Sequence, residues 1–239
     1  MQLINLPTEI LIHITEYLPT KDILNLSICS KHFHDPLSFI KFNKRLNFKD
    51  ICKSPYFDSF TSVIYSEPNN LFPKSLRNLY WYNNDQLPSH LLDTLINLYL
   101  GEEYVRPLSE LPSSLQKLHL GLYYNQLMPQ LPNSLKILEF GFNYNHPLPL
   151  LPDSLQYLRL GSYFKKPLPQ LPNSLIELSL GYPYNKPLPQ LPNTLERLYL
   201  GNKYNHPLPK LPNSLKHLRI GRTFKLPTLL SNITIDLVD

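Results

Sequence analysis

Two cysteines, Cys29 and Cys52, are too few for a disulfide framework and lack metal-ligand spacing, so they read as packed free thiols of a cytosolic or nuclear protein. Glycine is almost as scarce. The seven glycines stand a full repeat apart, which excludes a glycine-rich phosphate loop. Alanine is absent. No uninterrupted apolar run is long enough to cross a bilayer, and the opening MQLINLPTEILIHITEYL has no basic n-region, so neither a membrane span nor secretion is expected. Charged residues make up only 17% of the 239 residues while prolines number 25, a balance that in another chain would suggest disorder. Here the prolines are periodic and leucine is plentiful, so an ordered chain is expected.

What the sequence has is a period. Leu-Pro recurs at 111/112, 131/132, 151/152, 171/172, 191/192 and 211/212, a spacing of 20 residues that marks a solenoid whose coils bury their apolar sides only against one another. Within a coil the leucine-type positions run LxxLxL, as in Leu155, Leu158 and Leu160; the last two share a face at the strand period, which predicts a short strand in a parallel sheet. All seven glycines (Gly101, Gly121, Gly141, Gly161, Gly181, Gly201, Gly221) fall just after this strand, so the position requires either φ above zero or a close approach of neighbouring backbone. Three residues on comes an aromatic (Tyr104, Tyr124, Tyr144, Phe164, Tyr184, Tyr204, Phe224), read as a stacked core column. The following Pro-Leu-Pro-x-Leu-Pro can neither donate to a sheet nor continue a helix, so it predicts an extended, polyproline-like outer limb. A hydroxyl before each strand (Ser114, Ser134, Ser154, Ser174, Thr194, Ser214) is expected to satisfy backbone groups at the turn into that strand.

Eight coils start at 72, 91, 111, 131, 151, 171, 191 and 211, and at about 4.8 Å per strand they give a stack of roughly 40 Å. Ile233, Ile235 and Leu237 are expected to close the far end as a final strand. Residues 46–70 read as linker and one degenerate capping coil, in which Tyr56, Asp58, Ser59, Phe60, Val63 and Tyr65 echo the repeat. The outward strand positions form two columns that vary between coils. One is Asn78, Asn97, Lys117, Ile137, Tyr157, Glu177, Arg197, His217; the other is Tyr80, Tyr99, His119, Glu139, Arg159, Ser179, Tyr199, Arg219. Tyrosine and arginine recur there, the side chains favoured as interface anchors. The candidate substrate-binding face is therefore Tyr80, Tyr99, Lys117, His119, Glu139, Tyr157, Arg159, Arg197, Tyr199, His217 and Arg219.

No catalytic constellation is visible, no metal site is expected and no cofactor is called for. His146 and His206 share a repeat position three coils apart, roughly 14 Å at the strand spacing and too far to hold one ion. Residues 1–70 balance seven Lys/Arg against seven Asp/Glu, whereas the remainder carries 16 against 11. Lys203, Lys210, Lys216, Arg219, Arg222 and Lys225 lie in an acid-free stretch from 201 to 225, pointing to an acidic partner segment near the last coils. Nucleic acid is the competing reading, weakened because the tyrosine column is committed to the core.

The first 45 residues have no such period. Ile10, Leu11, Ile14 and Leu18 fall at helical spacing until Pro19; Thr20 can cap a second helix with Ile23, Leu24, Leu26 and Ile28, and a third short helix holds Cys29 to Phe33. Read from the residues alone, this is a small helical unit or an N-terminal cap for the solenoid. The line Leu6-Pro7-x-Glu9-Ile10, Ile14, Tyr17-Leu18, Asp22-x-Leu24-x-Leu26-Ser27, Cys29-x-Lys31-x-Phe33 resembles an F-box, and the coils resemble short LPX leucine-rich repeats, more closely the FNIP repeats that accompany F-boxes in amoebae and their large viruses. Tyr144-Asn145-His146-Pro147 stands where that family has Phe-Asn-x-Pro.

The resemblance implies a small all-α F-box at 1–45, then a leucine-rich-repeat-like parallel β solenoid at 71–239 with eight repeats of 19–20 residues and a C-terminal cap. By the same resemblance Leu6, Pro7, Ile10, Ile14, Leu18, Leu24 and Leu26 dock a Skp-family adaptor, and the solenoid holds a protein substrate for a cullin-RING ubiquitin ligase of the SCF type, in the cytoplasm or nucleus, of a host cell if the protein is viral. The chain would be a non-catalytic subunit. A scaffold outside the ubiquitin system, or a decoy that occupies the adaptor, uses the same parts.

Overall fold

The computed structural model describes residues 17–18, 22, 45–53, 57–66, 71–88, 93–224 and 233–238. Apart from Tyr17, Leu18 and Asp22, the three expected N-terminal helices, with Leu6, Pro7, Ile10, Ile14, Leu24 and Leu26, lie outside these residues, as do Leu91 and Leu92 of the second coil. Leu18 is described, and it packs half-buried against the hydrophobic core.

Among the described residues eleven short strands form one sheet in which every neighbour is parallel and the spatial order is the chain order. They are β1 (Leu46–Asn47), β2 (Ser62–Tyr65), β3 (Asn78–Trp81), β4 (Asn97–Leu100), β5 (Lys117–His119), β6 (Ile137–Glu139), β7 (Tyr157–Arg159), β8 (Glu177–Ser179), β9 (Arg197–Tyr199), β10 (His217–Gly221) and β11 (Thr234–Val238). The result is an all-parallel β solenoid. The sheet begins earlier than the repeat suggests: residues 46–66 hold two strands, β1 and β2, with a four-residue helix α1 (Phe48–Ile51) between them. β1 is invisible to a repeat search because two residues cannot show a period. The closing strand β11 pairs with β10 in the register Leu218↔Ile235 and Ile220↔Leu237.

The core lies behind the sheet. Leu118, Leu138, Leu158, Leu178 and Leu198 are 0–1% exposed, and the leucine three residues before each (Leu115, Leu135, Leu155, Leu175, Leu195) is 0% exposed. Next to them runs the aromatic column, with ring centroids 6.0–6.4 Å apart and planes within 12° from Tyr104 through Tyr124, Tyr144 and Phe164 to Tyr184. Burial pushes the phenol of Tyr104 up, those of Tyr124 and Tyr144 well up, and that of Tyr184 up to about 12. At the N-terminal end Phe48 of α1 stacks on Tyr65 at 4.8 Å and Tyr65 lies 5.5 Å from Trp81, so aromatics cap the first turns. The Pro-Leu-Pro limbs carry no helix or strand, and among the described residues none of their backbone groups pairs with the backbone of a neighbouring coil; their links are to side chains, as where Gln86 donates to the Pro107 carbonyl at 2.8 Å and the Leu87 N–H donates to the Tyr104 hydroxyl at 3.3 Å. Proline, which has no N–H to give, is placed where no ladder exists.

Two positions invariant along the stack work between coils rather than within one. No glycine has positive φ, which removes the first alternative raised by their spacing. Close approach is the reason: a Cβ on Gly121, Gly141, Gly161 or Gly181 would sit under 3.0 Å from the carbonyl oxygen of the glycine one coil earlier. The hydroxyl likewise reaches back a coil. Ser114, Ser134, Ser154, Ser174 and Ser214 donate to the carbonyls of Leu95, Leu115, Leu135, Leu155 and Leu195 at 2.6–2.7 Å, and Thr94 and Thr194 do the same to Leu76 and Leu175 at 2.8 Å. It therefore satisfies the preceding coil's turn, not its own. The asparagine after the core tyrosine adds a third link, since Asn125 and Asn145 accept from the backbone N–H of Asn145 and Lys165 at 3.0 Å.

Candidate protein-binding face

The parallel register brings the two variable columns into contact as rows. Asn78, Asn97, Lys117, Ile137, Tyr157, Glu177, Arg197 and His217 are successive partners along one; Tyr80, Tyr99, His119, Glu139, Arg159, Ser179, Tyr199 and Arg219 along the other, which Asp236 continues. Their side chains project opposite the core because the strand period is two.

The first rows are already occupied from within. The Arg45 guanidinium lies 3.9 Å from the Tyr80 ring centre and donates to its hydroxyl at 3.1 Å, while Tyr80 stacks on Tyr99 at 4.5 Å with planes 5° apart. Tyr80 is left 9% exposed, so of the candidate residues it presents the least surface. Burial, followed by the neighbouring Tyr80, raises the phenol of Tyr99 above its ordinary range.

Charges pair one coil apart. His119 Nδ1 lies 2.7 Å from Glu139 Oε2. That hydrogen bond is the main cause holding the Glu139 carboxyl below the usual carboxylate range, against the opposing effect of burial. Arg197 donates to Glu177 at 2.7 Å and its guanidinium passes 5.8 Å from the Tyr157 ring centre; the Glu177 bond is the first cause of its raised pKa. Lys117 stands 5.4 Å from the ring centre of Tyr99, and Arg219 stands 5.4 Å from that of Tyr199 and 3.8 Å from Asp236. His217 is exposed on β10.

The basic stretch at the C-terminal end is less unopposed than its own sequence suggests. Lys216 bridges to Glu196 at 2.8 Å and Arg219 meets Asp236, acids supplied by the coils before and after. Lys203 lies over the Tyr182 ring at 5.8 Å, and Lys225 is outside the described residues.

A second row of exposed groups was not among the candidates. Where the chain turns after each strand, Tyr82, Tyr123, Phe142, Tyr163 and Tyr182 stand 43–52% exposed. A readable signal exists for the last four: of the two residues after Gly121, Gly141, Gly161 and Gly181, one is always aromatic, and the pairs after Gly101, Gly201 and Gly221 have none. Among the described residues no group of three or more His, Cys, Asp or Glu could hold a metal, and no helix is long and apolar enough to cross a membrane.

With this geometry in view, the chain matches the F-box domain family over residues 3–35 and the FNIP repeat family in overlapping units at 106–143, 124–163, 144–183, 164–203 and 184–223. No curated protein matches it. Among solved structures it is similar to CroV588, described as a novel circular LRR protein structure, at 32% identity and a TM-score of 0.67 over 82% of this chain. YopM from Yersinia enterocolitica is similar at 26% identity and a TM-score of 0.51 over 75% of this chain. The chain spans 32% of the length of CroV588 and 45% of that of YopM. The glycine, hydroxyl and asparagine ladders supply a physical reason for the FNIP pattern, and the chain belongs to the F-box proteins that carry FNIP-type leucine-rich repeats.

Proposed function

We propose that the chain is the substrate-recognition subunit of an SCF-type ubiquitin ligase. The F-box would dock a Skp-family adaptor through Leu6, Pro7, Ile10, Ile14, Leu18, Leu24 and Leu26, and the outward sheet columns would hold a protein substrate. One observation carries the reading: an F-box match at 3–35 precedes a stack whose core leucine, glycine and hydroxyl positions repeat while the outward columns of its sheet change from coil to coil. The protein then acts by proximity, raising the effective concentration of substrate lysines near a ubiquitin-loaded enzyme. The family residues perform no bond chemistry in this account. Pairing of Lys216 with Glu196 and of Arg219 with Asp236 removes much of the case for nucleic acid on the last coils.

The test is a pull-down of the full chain with a Skp-family adaptor beside the variants Ile10→Asp and Arg219→Gln, each checked for folding by circular dichroism. Retention by the wild type and by Arg219→Gln, with loss in Ile10→Asp, supports the docking half. Addition of the cullin-RING module and ubiquitination of a co-purifying substrate, reduced by Arg219→Gln, supports the other half. A folded wild type that never retains the adaptor refutes the proposal.

A further inference from the structure

Cations on the sheet face are nearly all engaged by their neighbours. His119 has Glu139, Arg197 has Glu177, Arg219 has Asp236, and Lys117 lies against the Tyr99 ring. Arg159 differs. It is exposed at the middle of the outer column, and among the described residues its guanidinium has no hydrogen bond and no ion pair: its register neighbours are Ser179 and Glu139, and Glu139, whose carboxylate feels the Arg159 charge, is hydrogen-bonded to His119 instead. A guanidinium in this position keeps its full fork of donors for something that is not part of the chain.

The same coils differ from the rest beyond the strand. Gly141, Gly161 and Gly181 are half-exposed, while Gly101, Gly121, Gly201 and Gly221 are buried. Past these glycines stand Phe142, Tyr163 and Tyr182, 43%, 50% and 52% exposed, with Phe142 and Tyr163 in edge contact at 4.9 Å. Between Arg159 and Tyr163 the chain has buried Leu160, side-chain-free Gly161 and the small Ser162. Across three coils, half-exposed glycine backbone therefore separates the column that holds Arg159 from the exposed aromatic rim.

We infer that this region is the anchor site for an extended acidic-apolar segment of the protein substrate, one acidic side chain seated on Arg159 and the residues before and after it seated on Phe142, Tyr163 and Tyr182. In an extended segment alternate side chains point to opposite sides, so an acid facing Arg159 places both of its neighbours toward the rim. Those neighbours are about 7 Å apart and the rim spans two coil spacings, about 10 Å, which long apolar or aromatic side chains bridge. The pattern to look for is apolar-acid-apolar. This inference rests on the reading of the sheet columns as the substrate face, and it names the part of that face and the chemistry it selects.

The test is selection of a random-peptide phage library on the full chain, followed by anisotropy titration of the best synthetic peptide. The expected consensus has Asp or Glu between two apolar residues. Arg159→Gln and Tyr163→Ser each weaken the peptide about tenfold or more, whereas Lys210→Gln, an exposed cation on the proline limb, changes nothing. Converting the peptide's acid to its amide weakens binding to the wild type but not further to Arg159→Gln, as two halves of one contact require. Both face variants remove exposed groups, so folding is not at risk. A consensus without an acid, indifference to Arg159→Gln, or no selected peptide overturns the inference. Peptides that ignore Arg159 but are lost on Tyr199→Ala leave the substrate face standing elsewhere along the columns; peptides indifferent to both columns remove that face reading as well.

Discussion

Replacing a single hydrogen at Gly161 should break the stack. A Cβ there would meet the Gly141 carbonyl oxygen and carbon and the Phe142 Cα, all closer than 3.0 Å and all backbone, so no rotamer change can relieve it. The coils must separate. Overpacking of this kind costs about 1–3 kcal/mol. Separation also strains the bond from Tyr163 N–H to the Phe142 carbonyl, 2.9 Å long, whose loss adds about 0.5–1.5 kcal/mol. Gly161→Ala should therefore destabilise by about 3 kcal/mol, and with a urea slope near 3 kcal/mol/M for a chain of this size the midpoint moves down by about 1 M. Gly101→Ala is the internal control. Its Cβ would stand 2.9 Å from the Tyr82 Cα and 3.2 Å from a ring carbon that can swing aside, so a midpoint shift of about a third as much is expected. Circular dichroism reads the whole stack, while fluorescence of Trp81, the one tryptophan, reads the N-terminal turns. In Gly161→Ala the dichroism transition should precede the fluorescence transition, because nearest-neighbour coupling is weakened in the middle. Equal midpoints for the two variants, or a Gly161→Ala protein as stable as wild type, would falsify the close-packing account of the glycine column.

Ser174→Ala removes a 2.6 Å bond to the Leu155 carbonyl and should cost about 1 kcal/mol in urea unfolding, whereas Ser174→Thr should be nearly neutral because Thr94 and Thr194 make the same bond. Alkali should unfold the stack: the core phenols titrate above their unfolded value of 10.0, so the unfolded chain binds fewer protons than the native one above that pH, and stability falls from pH 10 up to about 12, where Tyr184 ionises. Phenolate absorbance and dichroism should change together, and phenols that titrate near pH 10 in a still folded protein would contradict the buried column. Exchanging Glu177 and Arg197 in the double variant Glu177→Arg, Arg197→Glu should recover most of what either single change loses, with a coupling of about 0.5–1 kcal/mol for this half-exposed pair; independent effects would show that the contact is incidental.

The stack was legible because its information is periodic. Leu135, Leu138 and Phe140 announce a strand, a spacing of 20 announces its neighbour, and together they assign every outward residue to a column before any coordinate is known. What escaped was whatever depends on which atoms meet across a coil boundary. Ser134 reads locally as a turn residue, yet its partner is the Leu115 carbonyl, 19 residues back. Gly161 reads as either a bend or a close approach, and the sequence alone does not show that it is the oxygen of Gly141 that forbids a side chain. Glu177 and Arg197 lie 20 residues apart, so their pairing could have been read by comparing each charge with the same position of the next coil. The aromatic rim at Tyr123, Phe142, Tyr163 and Tyr182 alternates between two places after the glycine, and a search restricted to one fixed position misses it. β1 carried no signal at all, and the family match at 3–35 rests on residues whose docking surface falls outside those described.

Scaffold and recognition are separated by this arithmetic of coils. Leucine, glycine, core aromatic, hydroxyl and asparagine each make their contact one coil away, so a change at any of them is felt by two coils and the lattice resists drift. The side chains of the outward columns make no bond to the backbone of a neighbouring coil among the described residues, and the post-glycine side chains leave the turn bonds to the main chain, as between Tyr163 N–H and the Phe142 carbonyl. Such positions can change identity while the spacing beneath them stays at about 4.8 Å. A binding surface built this way selects by what its own residues leave unsatisfied: along this face most charges cancel within the sheet, and the guanidinium of Arg159 with the open rings beside it is the remainder.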